Sequence, residues 1–314
     1  KLKARCVSTF LDAFGSLLGW LVHKARVDDA VMAGVLARVF SRSRRNAASI
    51  TSLLTASSSS AVLIENLDAR RIEGNVSAII NFSSTWRDEW VIRNAAQISP
   101  GASVLDAGAG ECQYKKHFAH TKYKTQDFVA YKGTTEGVQV EQWNYGRIDY
   151  VCDITAIPVP DASFDVVLCT EVLEHVQDPI ATLRELTRVL RPGGKLLLSA
   201  PLGCGLHQQP HHYYGGFTPF FYREYLSRFG MTVTEIKPLG GLLRHVAQEC
   251  HRVGRVISAG DVDGSDKAIL DVLMNWMPRV LSALDDKYFV EEFTVGYLVE
   301  ATKAAAIAES TSSS

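Results

Sequence analysis

The sequence predicts an α/β protein with a doubly wound, mostly parallel sheet of seven strands, a helical N-terminal extension and a helical insertion before the last strand. Two observations carry this reading. From Trp86 onward, short apolar runs alternate with stretches of helical period, the pattern of a parallel sheet covered on both faces. Within that pattern, Val104-Leu-Asp-Ala-Gly-Ala-Gly110 is an apolar run that ends in an acid and passes at once into two glycines. A buried strand ending this way brings bare backbone to the carboxyl edge of the sheet, where open α/β folds bind their ligands.

The elements follow in order. Phe10, Phe14, Leu17, Leu18 and Leu21, then Val31, Val35, Leu36 and Val39, recur at helical spacing and predict two amphipathic helices over residues 8–42. The simpler expectation for them is a cap on the main domain. The alternative is contact with a membrane surface or a partner protein, because Arg38, Arg42, Arg44 and Arg45 follow the apolar face. Residues 47–60 are rich in Ser, Ala and Thr and predict a linker, so the extension spans 1–60, the main domain 61–302 and a flexible tail 303–314. Trp90 to Ile98 predicts a helix closed by Ser99-Pro-Gly101. Strands are predicted at Val104, Tyr123–Gln126, Tyr150–Asp153, Asp165–Cys169 and Lys195–Ala200, with a helix over Asp178–Leu190 closed by Arg191-Pro-Gly-Gly194. Thr218 is expected to cap a helix. Met231–Ile236 and Thr294–Ala301 predict the last strands, separated by helical stretches at Leu242–Ile257 and Lys267–Leu284. That insertion, residues 241–285, is expected either to lie over the ligand crevice as a lid or to pack on the flank. Asp261-Val-Asp-Gly264 within it lacks the acid spacing of a calcium loop.

Bulk properties narrow the function classes. Lys+Arg 33 against Asp+Glu 34 gives a net charge of −1, so nothing in the overall charge points to nucleic acid or to an anionic membrane. The six cysteines show no CxxC and no metal spacing, which predicts reduced thiols in a cytoplasmic protein. The apolar run from Phe10 to Val22 is interrupted by Asp12 and falls short of the ~20 residues that span a bilayer. Lys1, Lys3 and Arg5 precede that run, but no small-residue cleavage site follows, so no signal peptide is predicted.

A lone DxGxG is weak, and its companions decide what it binds. Asp127, 21 positions beyond Asp106 at the end of the second predicted strand, is placed to take the hydroxyls of a ribose, with Phe128 beside it to stack on a base. Asp153 and Ile154 end the third strand and suit an adenine amine and its ring. A nicotinamide-dinucleotide fingerprint would have a third glycine at position 113, where Gln113 stands, and a neutral residue in place of Asp106.

In these residues the chain resembles the class I S-adenosylmethionine-dependent methyltransferases, in particular the methyltransferase type 11 branch with its Rossmann-like fold. The resemblance rests on Leu105-Asp-Ala-Gly-Ala-Gly110, Cys152-Asp-Ile154, Phe164-Asp-Val-Val-Leu-Cys-Thr-Glu-Val-Leu-Glu-His-Val176 and Arg188-Val-Leu-Arg-Pro-Gly-Gly194, in the family's order over residues 86–237. It implies S-adenosyl-L-methionine as cofactor. It also implies Asp106 under the methionine portion, Gly108 and Gly110 admitting the cofactor to the backbone, Asp127 at the ribose and Asp153 with Ile154 at the adenine; Ala107, Phe128 and Glu171 complete the expected cofactor-binding residues.

Glu171, Glu174 and His175 form an ExxEH pattern after the fourth strand. Similar triplets bind a divalent metal in small-RNA ribose methyltransferases and some quinone-pathway O-methyltransferases, with His212 available here as a fourth ligand. The simpler reading assigns no metal: Glu171 lines the donor pocket, and Glu174 and His175 cap the next helix. The loop Leu206-His-Gln-Gln-Pro-His-His-Tyr-Tyr-Gly-Gly-Phe-Thr218 follows the fifth strand, where the fold places acceptor contacts. His175, His207 and His212 are therefore the candidate catalytic bases.

The expected function is methyl transfer to an oxygen or nitrogen of a small-molecule or glycan-like acceptor, with no nucleic-acid partner. The alternatives are an NAD(P)-dependent oxidoreductase on a similar sheet, and a non-catalytic protein that binds the cofactor or a partner.

Overall fold

The computed structural model describes residues 76–133, 143–260, 262 and 264–305. The predicted N-terminal helix pair, the Ser-rich linker, Asp261, Asp263 and the tail beyond residue 305 lie outside the described residues. The large unit comprises Asn75–Val256 and Leu273–Ser314; Ile257–Val272 belong to a second unit.

The large unit opens with α1 (Val76–Ile80) and α2 (Phe82–Gln97), followed by β1 (Ser103–Ala107), β2 (Lys122–Asp127), β3 (Tyr150–Val151) and β4 (Phe164–Thr170). Then come α3 (Pro179–Val189), β5 (Leu190–Pro201), α4 (Pro219–Arg228), β6 (Met231–Pro238) and α5 (Leu242–Ser258). After α6 (Gly264–Asp271), which lies in the second unit, the chain returns through α7 (Met277–Asp285) to β7 (Gly296–Lys303). The sheet has seven strands in the order β3-β2-β1-β4-β5-β7-β6. β7 alone runs against its neighbours, antiparallel to both β5 and β6, so the sheet is parallel from β3 to β5. The chain winds outward from β1 to β3 and then returns to β4. That reversal opens a crevice at the carboxyl ends of β1 and β4.

Alternation along the strands divides the core. Val166, Leu168, Val104 and Leu197 pack against Trp90, Val91 and Phe118 on the α2 face. Leu105, Val167, Cys169, Leu196 and Leu198 pack against Leu183, Leu186, Tyr222 and Leu226 of α3 and α4 on the other. Local signals fix the helix ends. Asp178 accepts from the Ala181 amide at 2.8 Å with Pro179 in the first turn, and Thr218 accepts from the Phe221 amide at 3.3 Å with Pro219 behind it.

Several predicted boundaries moved. α2 starts at Phe82 rather than Trp90, because Phe82 is buried and its ring meets Trp86 edge-on at 5.3 Å. Arg191-Pro-Gly-Gly194 is not a free turn. Leu190 already pairs with Phe164, and a register irregularity carries the glycines before pairing resumes at Lys195. β7 continues through Lys303, past the predicted domain end at 302. The stretch predicted as one helix over Lys267–Leu284 is interrupted at Val272–Trp276, where the hydrogen bonding widens to a π turn just before Pro278. Asp285 accepts from the Gly241 amide at 2.8 Å and the Leu243 amide at 3.0 Å, pinning the start of α5 to the end of α7. α5 packs on the flank against α1 and α2, where Arg244 stacks over Trp86 at 4.9 Å and Gln248 donates to the Ile80 carbonyl.

Candidate functional site

The strand ends on either side of the β1/β4 reversal surround a cavity of about 500 Å³. Its wall contains Gly108 from the turn after β1, Gln126, Asp127 and Phe128 from the end of β2, Asp153 and Ile154 beyond β3, and Glu171, Val172 and His175 beyond β4. Gln208, His211 and Tyr213 close it from the loop after β5. Among the described residues of the large unit, those from 242–256 and 273–285 do not line it.

Of the residues the sequence singled out, Gly108, Asp127, Phe128, Asp153, Ile154, Glu171 and His175 reach the cavity. Asp106, Ala107, Gly110, His207 and His212 do not line it. Asp106 is 3% exposed, and its carboxylate accepts a short hydrogen bond from the Tyr123 hydroxyl. Burial pushes its pKa up to about 7, with Tyr123 opposing the shift and Asp127 adding to it. Ala107 is fully buried in the strand. Both glycines answer first to the protein's own sterics. At Gly108 (φ 75°) a Cβ would stand 2.4 Å from a Val172 methyl, and at Gly110 (φ 49°) 2.7 Å from the Trp143 ring.

Asp127 is held rigidly. Its two oxygens accept from the Gly110 and Val129 amides, each at 2.9 Å, which leaves further lone pairs to face the cavity. Gln126 adds a brace that no motif announces, accepting from the Gly108 amide and donating to the Cys152 carbonyl. Beside them the Phe128 ring is 44% exposed and meets His211 edge-on at 5.1 Å. Asp153 spends one oxygen on the Thr155 amide and hydroxyl, at 2.8 and 2.7 Å. Ile154 is buried beside it. From the segment after β2, Tyr131, Trp143 and Tyr145 bring three rings to the wall, and the Trp143 indole N–H is buried without a partner.

Glu171 carries the backbone signature of a site residue. It is a non-glycine at φ 54°, held there by its amide bonding to the Ser199 carbonyl at 2.9 Å. Its carboxylate accepts from the Ser199 hydroxyl at 2.6 Å and faces Arg87 of α2 at 3.4 Å. Burial works against the charge of Arg87, but Glu171, Tyr114 and Asp88 outweigh it and hold the guanidinium pKa above its ordinary value. Arg87 was not predicted. It sits 84 positions before Glu171 and only the fold joins them.

The loop after β5 is tied down through Glu174, whose carbonyl accepts from the Tyr213 and Tyr214 amides at 2.9 and 3.2 Å. His175 donates its Nδ1 proton to the His211 carbonyl at 2.7 Å, leaving Nε2 bare. Burial, with the neighbouring imidazoles, lowers its pKa to about 4, so the ring is neutral. His207 meets it edge-on and His212 lies tilted beside it, with ring centroids at 4.7 and 5.7 Å. Glu174 is 1% exposed; burial and Glu171 raise its pKa well above the carboxylate range. It does not cap α3, whose cap is Asp178.

Among the described residues no helix is long and apolar enough to cross a membrane, and the five described cysteines are free. Residues 105–198 match the family described as methyltransferase domain. A demethylmenaquinone methyltransferase of Renibacterium salmoninarum is 30% identical over 151 residues, covering 48% of this chain and 59% of that protein. A ubiquinone biosynthesis O-methyltransferase of Xanthomonas oryzae pv. oryzae is 36% identical over 108 residues, covering 32% and 43%. The chain thus spans about half the length of these relatives. A solved geranyl diphosphate methyltransferase in complex with SAM aligns with 71% of this chain and 85% of its own at 12% identity and a TM-score of 0.44. The match over 105–198 lies on a sheet whose strand ends gather the acids and glycine of a nucleoside site, so this stretch is similar to a methyltransferase domain of the S-adenosylmethionine-dependent kind.

Proposed function

We propose that this protein transfers a methyl group from S-adenosylmethionine to an oxygen or nitrogen of a small-molecule acceptor. The observation that carries the reading is the gathering of Gly108, Asp127, Asp153, Ile154 and Glu171, from four separate turns, around one cavity. These residues fit the cofactor. Asp127 has free lone pairs for ribose hydroxyls, Phe128 and Ile154 offer apolar faces to an adenine, Asp153 keeps one oxygen for its amine, and the unpartnered Trp143 N–H offers a donor.

When bound, the cofactor would supply an electrophilic methyl on a sulfonium, to which an acceptor lone pair would bond in line as the C–S bond breaks and its electron pair stays on sulfur. The protein's part is chiefly to hold donor and acceptor in that line, an effect worth ~7–11 kcal/mol. Gln177, Gln208, His211 and Tyr213 make the acceptor side of the wall. When the acceptor is a hydroxyl or ammonium, its proton leaves to solvent; His175, neutral and fixed through Nδ1 by the His211 carbonyl, is a positioning residue of that wall. Rings at Phe128, Tyr131, Trp143 and Tyr213 favour a planar acceptor.

The test is a thermal shift. S-adenosylhomocysteine at 100 times its Kd stabilises the folded chain by ~2.7 kcal/mol, whereas NADH leaves the melting temperature unchanged. A shift with NADH and none with S-adenosylhomocysteine overturns the reading. Transfer of labelled methyl across a panel of phenols, ring carboxylates and amines then identifies the acceptor class.

A further inference from the structure

Beside the cavity, behind His175, the structure gathers Glu174, Cys204, His207 and His212, which the proposed methyl transfer does not use. Cys204, His207 and His212 bring one ligand atom each to within 4.8 Å of one another, and Glu174, His175 and His207 do the same. His207 is common to both groups. Cys204 Sγ lies 3.4 Å from Nε2 of His212, and the His207 and His212 ring centroids are 4.5 Å apart.

Three features distinguish this cluster from ordinary packing. His207 donates its Nδ1 proton to the Gly205 carbonyl at 2.9 Å, the outer-shell bond that fixes an imidazole with Nε2 bare for a metal. Glu174, 1% exposed, has one carboxylate oxygen buried with no hydrogen-bond partner. A native structure leaves such an atom orphaned at a cost of ~1–3 kcal/mol unless something else meets it. Finally, one thiolate and one carboxylate carry two negative charges, which a divalent ion cancels, so the filled cluster is neutral in a place that penalises net charge.

We propose that this cluster binds one divalent transition-metal ion of the zinc class, through Cys204 Sγ, the imidazoles of His207 and His212, and the unpartnered oxygen of Glu174. On binding, the Cys204 thiol and the Glu174 carboxyl, whose pKa burial raises, each give a proton to solvent, and the thiolate sulfur and a carboxylate oxygen become ligands. A thiolate with two imidazoles selects zinc or cobalt over magnesium or calcium. The ligand set is not the ExxEH triplet. Glu171 is left out, since Ser199 and Arg87 already engage its carboxylate. The site does not rest on the methyltransferase reading, and its test reads metal alone.

Purified full-length chain, stripped of metal by a chelator under reducing conditions, is titrated with cobalt(II). The expected result is one equivalent bound with the strong visible bands of tetrahedral coordination and a near-ultraviolet thiolate-to-cobalt band, bleached by zinc and untouched by excess magnesium. Cys204→Ser removes the thiolate band, while Cys250→Ser, at another half-buried thiol, keeps it. His207→Ala weakens binding by more than the ~10–100-fold that loss of an outer-shell partner costs. Glu174→Gln, which preserves shape, weakens it as well. Cobalt binding that lacks the thiolate band, or that is unchanged in both His207→Ala and Cys204→Ser, overturns the proposal. So does displacement by magnesium with loss in Glu171→Gln.

Discussion

On its strand-end side the cavity is walled by residues whose backbone the sheet itself fixes, whereas the opposite wall hangs on a loop tied to Glu174. Asp127 ends β2, Gly108 and Glu171 each follow a paired strand by one residue, and their amides or carboxylates are bonded to neighbouring strands or turns. The loop wall is held by the Tyr213 and Tyr214 amides on the Glu174 carbonyl, the Tyr214 hydroxyl on the Gln177 carbonyl, and Phe217 on Pro201. Its side chains at Tyr213 and Tyr214 stay 43% and 38% exposed. The difference teaches where substitution is tolerated. On the strand-end wall, recognition and folding share the same atoms; on the loop wall they are separable.

The hardest blow to the strand-end wall is Gly108→Ala. The new methyl meets Val172 at 2.4 Å and the backbone must stay at φ 75°, so left-handed strain of ~1–2 kcal/mol adds to overpacking of ~1–3 kcal/mol. A large drop in melting temperature together with loss of the S-adenosylhomocysteine shift is expected. Adding Val172→Ala removes the clash but not the strain, so it restores only part of the stability. A full recovery would mean the backbone is free to move and the wall is less rigid than argued.

Asp106 sharpens the comparison through pH. Its pKa is about 7 in the folded chain, against ~3.9 when unfolded, so between those values the folded state holds a proton that the unfolded state has lost. Stability contributed by this group is therefore full below about pH 4, falls by up to ~1.4 kcal/mol per pH unit as pH rises towards 7, and is flat above. Asp106→Asn removes that slope, seen as a smaller loss of melting temperature between pH 4 and 7. Because Asp106 lies behind the wall rather than in it, the variant keeps its response to S-adenosylhomocysteine. A lost response would return Asp106 to direct cofactor contact.

What could be read from residues alone divides along the same line. The seven strands and their order of appearance were legible, because buried strands write themselves as Val104–Ala107 or Val166–Cys169, apolar runs that end at turn residues. So were the acids at strand ends, since Asp127 and Asp153 follow directly from where β2 and β3 stop. Arg87, Gln126 and Trp143 were not legible. Each looks like an ordinary helix, strand or loop residue, and only the folded chain brings Arg87 to Glu171, Gln126 to Gly108 and Trp143 to Gly110. The histidines were visible as a cluster in the loop, but their depth was not. Only the folded loop, tied through the Tyr213 and Tyr214 amides to Glu174, sets the His207 and His212 rings beside His175 and outside the cavity wall.

Asp127→Asn tests recognition at the strand-end wall with less harm to the fold. The amide keeps one accepting oxygen, so one of the Gly110 and Val129 amides loses its partner. Hydrogen bonds to a charged group are worth ~1.5–3 kcal/mol, so S-adenosylhomocysteine affinity by calorimetry falls by about 10- to 100-fold while the chain remains folded. An unchanged affinity would place the ribose elsewhere in the cavity.

Tyr213→Ala is the smallest perturbation and the most discriminating. The Tyr213 amide, which ties the loop to Glu174, is untouched by the substitution, and its half-exposed ring is held only by a 3.2 Å bond to Gln177. Removing the ring is expected to change stability by no more than ~0.5 kcal/mol, as for surface positions away from packed features. The S-adenosylhomocysteine shift stays as it was. The acceptor KM rises with kcat little changed, because what is lost is contact with the acceptor before and during transfer alike. If cofactor affinity falls instead, the two walls are coupled, through the Phe128–His211 ring contact that bridges them at 5.1 Å, and the loop is part of the cofactor's own binding site.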